Sequence, residues 1–280
     1  MEYINNNQIQ LPLIGLGTFS MHGEQLFNII SNAIQLGYSL FDTAVKYANE
    51  EDLGAVLKDT NNVLLQSKVH DIQLLGNLKY LRLNKKSVKK SYSLTTSRLG
   101  FAPDIYFIHS TFKGYEHSFE KLVSLREKNI IKIIGICNIS LDELKKLVKD
   151  TGLKPDIIQV EIHPYYNNRK ILDYCKEQNI IVEARSPLAH GDVLHEWQSN
   201  TILQKIAFQH SKSVPQVILR WITQQNIIAI TRTIDYNHLK DNINIFDFKL
   251  TEQNINDINS LNKDLSFGFI SSKQNKVQFI

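Results

Sequence analysis

Short runs of β-branched and aliphatic residues alternate with longer stretches of helical period along this whole chain, and that rhythm constrains its fold most strongly. The strand-like runs, in order, are LIGLGTF, YSLFD, NVLLQSK, DIYFIH, IIGICN, DIIQVEI, IIVEAR and IIAITRT. They are near-continuously apolar rather than alternating, as parallel strands covered on both faces must be. Helical spacing separates them: Phe27, Ile30, Ile34 and Leu36 before the second run, and Leu141, Leu144, Leu147 and Val148 after the fifth. Eight such units predict an α/β protein, a closed (β/α)8 TIM barrel. A doubly wound sheet is the rival, but Gly15-x-Gly17 lacks the third glycine of a phosphate-binding fingerprint. Ahead of the first strand, a turn at Asn5, Asn6 and Asn7 predicts a small hairpin plugging the N-terminal face of the barrel.

Size and composition agree with a single barrel domain over 1–280, ending in a short helix and tail: 42% of the residues are hydrophobic and 21% charged. No run approaches the ~20 apolar residues of a membrane span, and the first residues carry no export signal. Two cysteines, Cys137 and Cys175, make neither a disulfide framework nor a zinc motif, so no metal is expected and a cytoplasmic location is. The net charge is +4, and its densest basic run (Lys85, Lys86, Lys89, Lys90) has the spacing of a solvated helix face. Neither nucleic acid nor a membrane is expected as a partner.

Side chains at the C-terminal ends of barrel strands converge on one rim. Asp42, Lys68 and His109 end the second, third and fourth runs, and Tyr47 follows just after the second. Each has an ordinary explanation: Asp42 as a helix cap, Lys68 in a surface ion pair, His109 as a structural histidine, Tyr47 as packing. Their convergence from consecutive strands favours chemistry. A lysine ammonium beside a tyrosine lowers the phenol pKa from about 10. A carboxylate holds that lysine, and an imidazole orients a carbonyl oxygen. Such a set delivers a proton to an oxygen gaining negative charge, which implies a cofactor as hydride source.

The segment GYSLFDTAVKYANEEDLGAVL resembles the aldo-keto reductase pattern GYRxxDTAxxYxNExxxGxAL. The likeness continues through LLQSKV, DIYFIHS, IIKIIGICNIS, DIIQVEIHPYY, ARSPLAHGDVL, VPQVILRWI and FDFKLTEQNINDINSLN. It covers nearly the whole chain. The brief tail after Leu261 resembles the short, diketogluconate-reductase-like prokaryotic branch.

The resemblance implies an NADP(H)-dependent enzyme, acting as a monomer, that reduces an aldehyde or ketone. It makes Tyr47 the general acid, tuned by Lys68 and Asp42, with His109 positioning the substrate. It places the cofactor against Gly17, Thr18, Asp42, Cys137, Asn138, Gln159, Arg185, Ser186, Leu188, Thr231, Arg232, Thr233, His238 and Asn242, and the substrate also against Ser110 and Trp197. Asn138 and Gln159 would take the nicotinamide carboxamide, and Ser186 and Leu188 the pyrophosphate. Arg232 would grip the 2′-phosphate, and Asn242 would lie near the adenine.

Three departures from the family pattern stand out. Cys137 replaces a serine. Arg185 replaces the aromatic residue that stacks on nicotinamide, and its charge would disfavour NADP+ relative to NADPH. His238 replaces an arginine, which narrows the margin over NAD(H). The segment 70–84 between Lys68 and His109 is an insertion, and Trp197 is either a wall of the substrate mouth or a loop anchor. A redox-sensing NADP(H)-binding subunit with little turnover is the alternative to an enzyme, and a barrel lyase or isomerase is the third reading.

Overall fold

The computed structural model describes residues 1–5, 10–69, 85–111, 114–189 and 191–268. The chain begins with β1 (Tyr3–Asn5) and β2 (Gln10–Pro12), which pair antiparallel. Eight parallel strands follow: β3 (Ile14–Gly17), β4 (Leu40–Asp42), β5 (Leu64–Val69), β6 (Ile105–Ile108), β7 (Ile133–Cys137), β8 (Ile157–Glu161), β9 (Ile181–Arg185) and β10 (Ile228–Thr231). They pair in chain order, and β10 returns to β3 to close the barrel. Seven lie inside the runs read from the sequence, and β5 extends one residue past its run, to Val69. The helices are α1 (Gly23–Gln35), α2 (Glu50–Leu57), α3 (Lys85–Leu99), α4 (Tyr115–Glu127), α5 (Leu141–Thr151), α6 (Arg169–Gln178), α7 (Gly191–Gln198), α8 (Thr201–His210), α9 (Val214–Thr223), α10 (Tyr236–Ile243) and α11 (Glu252–Asn259).

Strand side chains alternate between two cores, because successive Cβ atoms point to opposite faces. Leu40, Ile105, Phe107, Ile133, Ile157, Ile228 and Ile230 fill the barrel interior. Their neighbours Phe41, Tyr106, Ile108, Ile134, Ile158 and Ala229 face the helical layer. Gly135 gives Phe107 its room: a Cβ there would stand 2.4 Å from the Phe107 ring and 2.7 Å from the Ile157 carbonyl oxygen.

Leu11 and Leu13 join the interior core, so the N-terminal hairpin forms the barrel floor. Glu2 ties it to α9 through Arg220 at 2.9 Å. The turn at Asn6 and Asn7 and the insertion 70–84 lie outside the described residues. Helix α1 corrects the sequence register: it buries Leu26, Ile29, Ile30 and Ala33 and leaves Phe27 54% exposed. Helix α5 keeps the expected face, with Leu144 and Leu147 buried and Leu141 and Val148 packed beside them.

Candidate active site

Strands β4 and β5 bring Asp42 and Lys68 together inside the barrel, where Lys68 is fully buried and Asp42 4% exposed. The Lys68 ammonium donates to Asp42 Oδ1 and, at 2.9 Å, to the carbonyl oxygen of Thr43. Asp42 caps no helix; Asn49 stands at the start of α2.

Tyr47 ends a 3-10 turn, Val45–Tyr47, on the loop after β4. Asn49 fixes that loop: its amide donates to the carbonyls of Thr18 (2.8 Å) and Met21 (3.0 Å), and its oxygen accepts from the Thr43 hydroxyl at 2.7 Å. The Thr18 hydroxyl closes the arrangement by donating to the Asp42 carbonyl at 3.0 Å. The half-buried Tyr47 ring lies 5.2 Å from the Lys68 ammonium and 6.2 Å from the His109 ring. All four residues expected from the strand ends therefore meet.

Burial raises the Tyr47 phenol above its ordinary pKa, and Asp42 adds to that rise. The Lys68 ammonium opposes it but does not win, so the lowering expected from the sequence is overturned in the free protein. A phenol that keeps its proton at neutral pH is the form a proton donor needs. For Lys68, burial works against the charge, but Asp42 and Tyr47 outweigh it and hold the ammonium protonated.

Around this centre lie residues the sequence reading missed. Phe19, 53% exposed, sits edge-on to Tyr47 at 5.1 Å. Gln66 and Glu183 are buried beside Asp42, together with Gln159, which the sequence reading did name. The Gln66 amide donates to Asp42 Oδ1 (2.7 Å) and Glu183 Oε2 (3.0 Å), and the Gln159 amide donates to the same two oxygens at 3.3 and 3.0 Å. An isolated polar residue within an apolar strand carried too little signal to single out Gln66 and Glu183; their lateral pairing in the closed barrel reveals them.

Arg185 is committed to protein partners. Its Nε donates to Asn138 Oδ1 at 2.8 Å, and its Nη2 to Glu161 Oε2 at 2.9 Å and to the Gly268 carbonyl. The Asn138 amide nitrogen donates to the His109 carbonyl at 2.9 Å. Glu161 also accepts from the Ser266 hydroxyl and the Phe267 N–H, both at 2.7 Å, and its other contact is His163 at 2.9 Å. Burial works to raise the Glu161 carboxyl, but His163, Arg185 and the tail donors prevail and bring it to about 2. Glu161 is thus a carboxylate that compensates Arg185, which blunts the selective repulsion of NADP+ expected from Arg185 alone.

The other expected residues divide into a rim and an interior. Thr231 is buried and donates to the Gly15 carbonyl at 3.2 Å, while Arg232 Nε donates to the Phe19 carbonyl at 2.5 Å. Thr233 and His238 lie within 3.5 Å at the start of α10, where Asp235 caps the helix and Asn242 is buried. A Cβ on Gly17 would meet Ile230 and the Thr231 carbonyl oxygen at 3.4 Å and Asp42 Oδ2 at 3.9 Å. Cys137 donates to Gln159 Oε1 at 3.6 Å, Ser186 sits just past β9 at a positive φ, and Leu188 packs on the outer core. Ser110 is half-buried next to His109. Trp197 is fully buried between the rings of His163 and Tyr165, each 5.4 Å away, which is an anchor's position rather than a wall of the mouth.

A buried Asp–Lys pair lies beneath a tyrosine and a histidine on the C-terminal rim of a (β/α)8 barrel. The chain belongs to the aldo/keto reductase family, whose model matches residues 13–263. It is 35% identical to glyoxal reductase of Bacillus subtilis (strain 168) over 269 residues, covering 94% of this chain and 93% of that protein. It is 27% identical to a methylglyoxal reductase of Yersinia pestis over 88% of this chain and 87% of that protein. Among solved structures, an aldo-keto reductase from a Medee basin deep-sea metagenome library matches with a TM-score of 0.85 and 30% identity, over 97% of this chain and 98% of that one. A mutant of Gox0644 in complex with NADPH matches at 0.84 and 26%, over 99% of both chains.

Proposed function

We propose that this protein is an NADPH-dependent reductase of small aldehydes or ketones, with Tyr47 as the proton donor. The observation carrying this reading is the continuous array Asp42–Lys68–Tyr47, with the His109 ring alongside. Short dicarbonyls are the first substrates to try, since the names of two relatives specify glyoxal and methylglyoxal.

The cofactor fits the residues present. Gln159 has its N–H groups fixed on Asp42 and Glu183, so its oxygen is the side able to accept from a carboxamide. Arg232, Thr233 and His238 gather donors and positive charge beside the start of α10, as an adenosine 2′-phosphate requires. Asn138 is the exception, because Arg185 occupies its oxygen. NADPH, when bound, supplies the reducing equivalents to the carbonyl carbon.

The chain's own residues manage the proton. Tyr47 gives its phenolic proton to the substrate oxygen as negative charge grows there. Lys68 stabilises the phenolate left behind, and Asp42 keeps Lys68 charged and in place. His109 orients the carbonyl, and Phe19 forms part of the mouth. The protein works as a monomeric, single-domain enzyme of the cytoplasm.

The test is NADPH oxidation over a panel of glyoxal, methylglyoxal, simple aldehydes, ketones and keto-sugars. Tyr47→Phe should lose about 100-fold or more of kcat while binding NADPH as before. Full activity in Tyr47→Phe sinks the assignment, and tight NADPH binding with no turnover on any carbonyl favours the redox-sensing alternative.

A further inference from the structure

Beneath the site, two carboxyl groups and only one cation lie in the barrel interior among the described residues. Asp42, Lys68 and Glu183 are 4%, 0% and 0% exposed. The charged groups facing Glu183 are Asp42 from β4 and Lys68 from β5. Opposite it in the ladders stand Gln159 of β8 and Ile228 of β10. Glu161 and Arg185, one pleat higher on β8 and β9, pair with each other. Helix α6 packs outside the barrel on β9.

The hydrogen bonds around Glu183 are lopsided. Its Oε2 accepts from both Gln66 and Gln159, while its Oε1 is buried with no partner. The Gln66 oxygen, in the same cluster, is also buried with no partner. The amides cannot flip to relieve this, since a flip would turn an oxygen toward two carboxyl groups. Two buried acceptors without a protein donor in one cluster are costly. One proton on Glu183 Oε1 turns one of these two acceptors into a donor and leaves Oε2 free to accept as before.

We propose that Glu183 is held as the neutral acid and serves as a positioning residue for the site above it. In that form it fixes the amide of Gln159 with the oxygen turned away from the cluster. It also leaves Asp42–Lys68, among the described residues, as the only ion pair under Tyr47. Burial first, and the Asp42 charge second, push the Glu183 carboxyl up to about 8, against the pull of Gln159, Gln66 and Lys68. Ionisation of Glu183 at alkaline pH would put a second negative charge beside Asp42 and make the Tyr47 phenolate harder to form. The role assigned to Gln159 rests on the reductase reading; the protonation of Glu183 does not.

The experiment is urea unfolding of the wild type and Glu183→Gln from pH 5 to pH 9, without cofactor. A folded state that keeps a proton the unfolded chain releases loses stability as pH rises from the unfolded carboxyl value, about 4.3, to the folded one. The wild-type midpoint should therefore fall relative to the variant across this window and level off above about pH 8. A difference that is flat, or that rises with pH, overturns the proposal. Should the variant fail to fold, infrared spectroscopy of the wild type decides. A carbonyl stretch of a buried carboxylic acid at pH 6 that vanishes above pH 9 supports the proposal, and its absence at pH 6 refutes it. For positioning, Glu183→Leu should bind NADPH about ten-fold more weakly than Glu183→Gln. Equal dissociation constants reject the link to Gln159 alone, whereas failure of the carbonyl panel rejects the reductase reading and leaves Glu183 untouched.

Discussion

Arg185 and Glu161 show how one residue's meaning depends on its partner. Alone, a guanidinium where a ring should stack predicts repulsion of the oxidised cofactor. With Glu161 2.9 Å away, that charge is matched. Arg185→Tyr is therefore expected to change the ratio of NADP+ to NADPH dissociation constants by less than about three-fold, while Glu161→Gln, which unmasks the cation, should weaken NADP+ selectively by about ten-fold. Fluorescence titration of both variants with both cofactor forms checks this. The tetrad positions were legible because each is an ionisable residue at the end of an apolar run. Glu161, Gln66 and Glu183 were not, because their significance lies in lateral strand neighbours that a linear reading does not supply. Phe19 escaped for a plainer reason: an aromatic beside Thr18 looks like any loop residue until its ring is seen against Tyr47.

Elements reveal where local preference and packing disagree. Gly54 lies within α2, where alanine would ordinarily favour the helix by about 1 kcal/mol. Here a Cβ would fall 2.2 Å from the Leu99 carbonyl oxygen at the end of α3, a backbone atom that cannot rotate away. Packing wins, so Gly54→Ala should destabilise the protein by roughly 1–3 kcal/mol in chemical denaturation. The same contest explains the shift of register in α1. Its sequence offers two overlapping apolar stripes, and the barrel selects the one through Leu26 and Ile30, leaving Phe27 outside. All eight barrel strands were readable, since parallel strands covered on both sides leave long apolar runs. The pairing that closes β10 onto β3 followed only from their number.

At the scale of the whole molecule, the hairpin seals the barrel below. Leu11, fully buried in the floor, should cost about 2–5 kcal/mol when cut to alanine, read from the denaturation midpoint. Two buried glutamates also give the fold opposite responses to pH. Glu161, lowered to about 2, contributes stability above the unfolded carboxyl value, and this is lost as pH falls toward 2. Glu183 contributes below that value and loses its share as pH climbs toward 8. Glu161→Gln should accordingly flatten the acid limb of a stability–pH curve without moving the alkaline one.

Glu161 holds Arg185 with one hand and the chain at Ser266 and Phe267 with the other. Those contacts make the C-terminal segment a participant in thermodynamic linkage. A ligand that draws Arg185 off Asn138 must disturb the carboxylate that anchors the tail, and the effect is reciprocal. Whatever protection from hydrogen exchange the N–H of Phe267 loses when NADPH binds, a chain ending at Leu265 should regain as affinity.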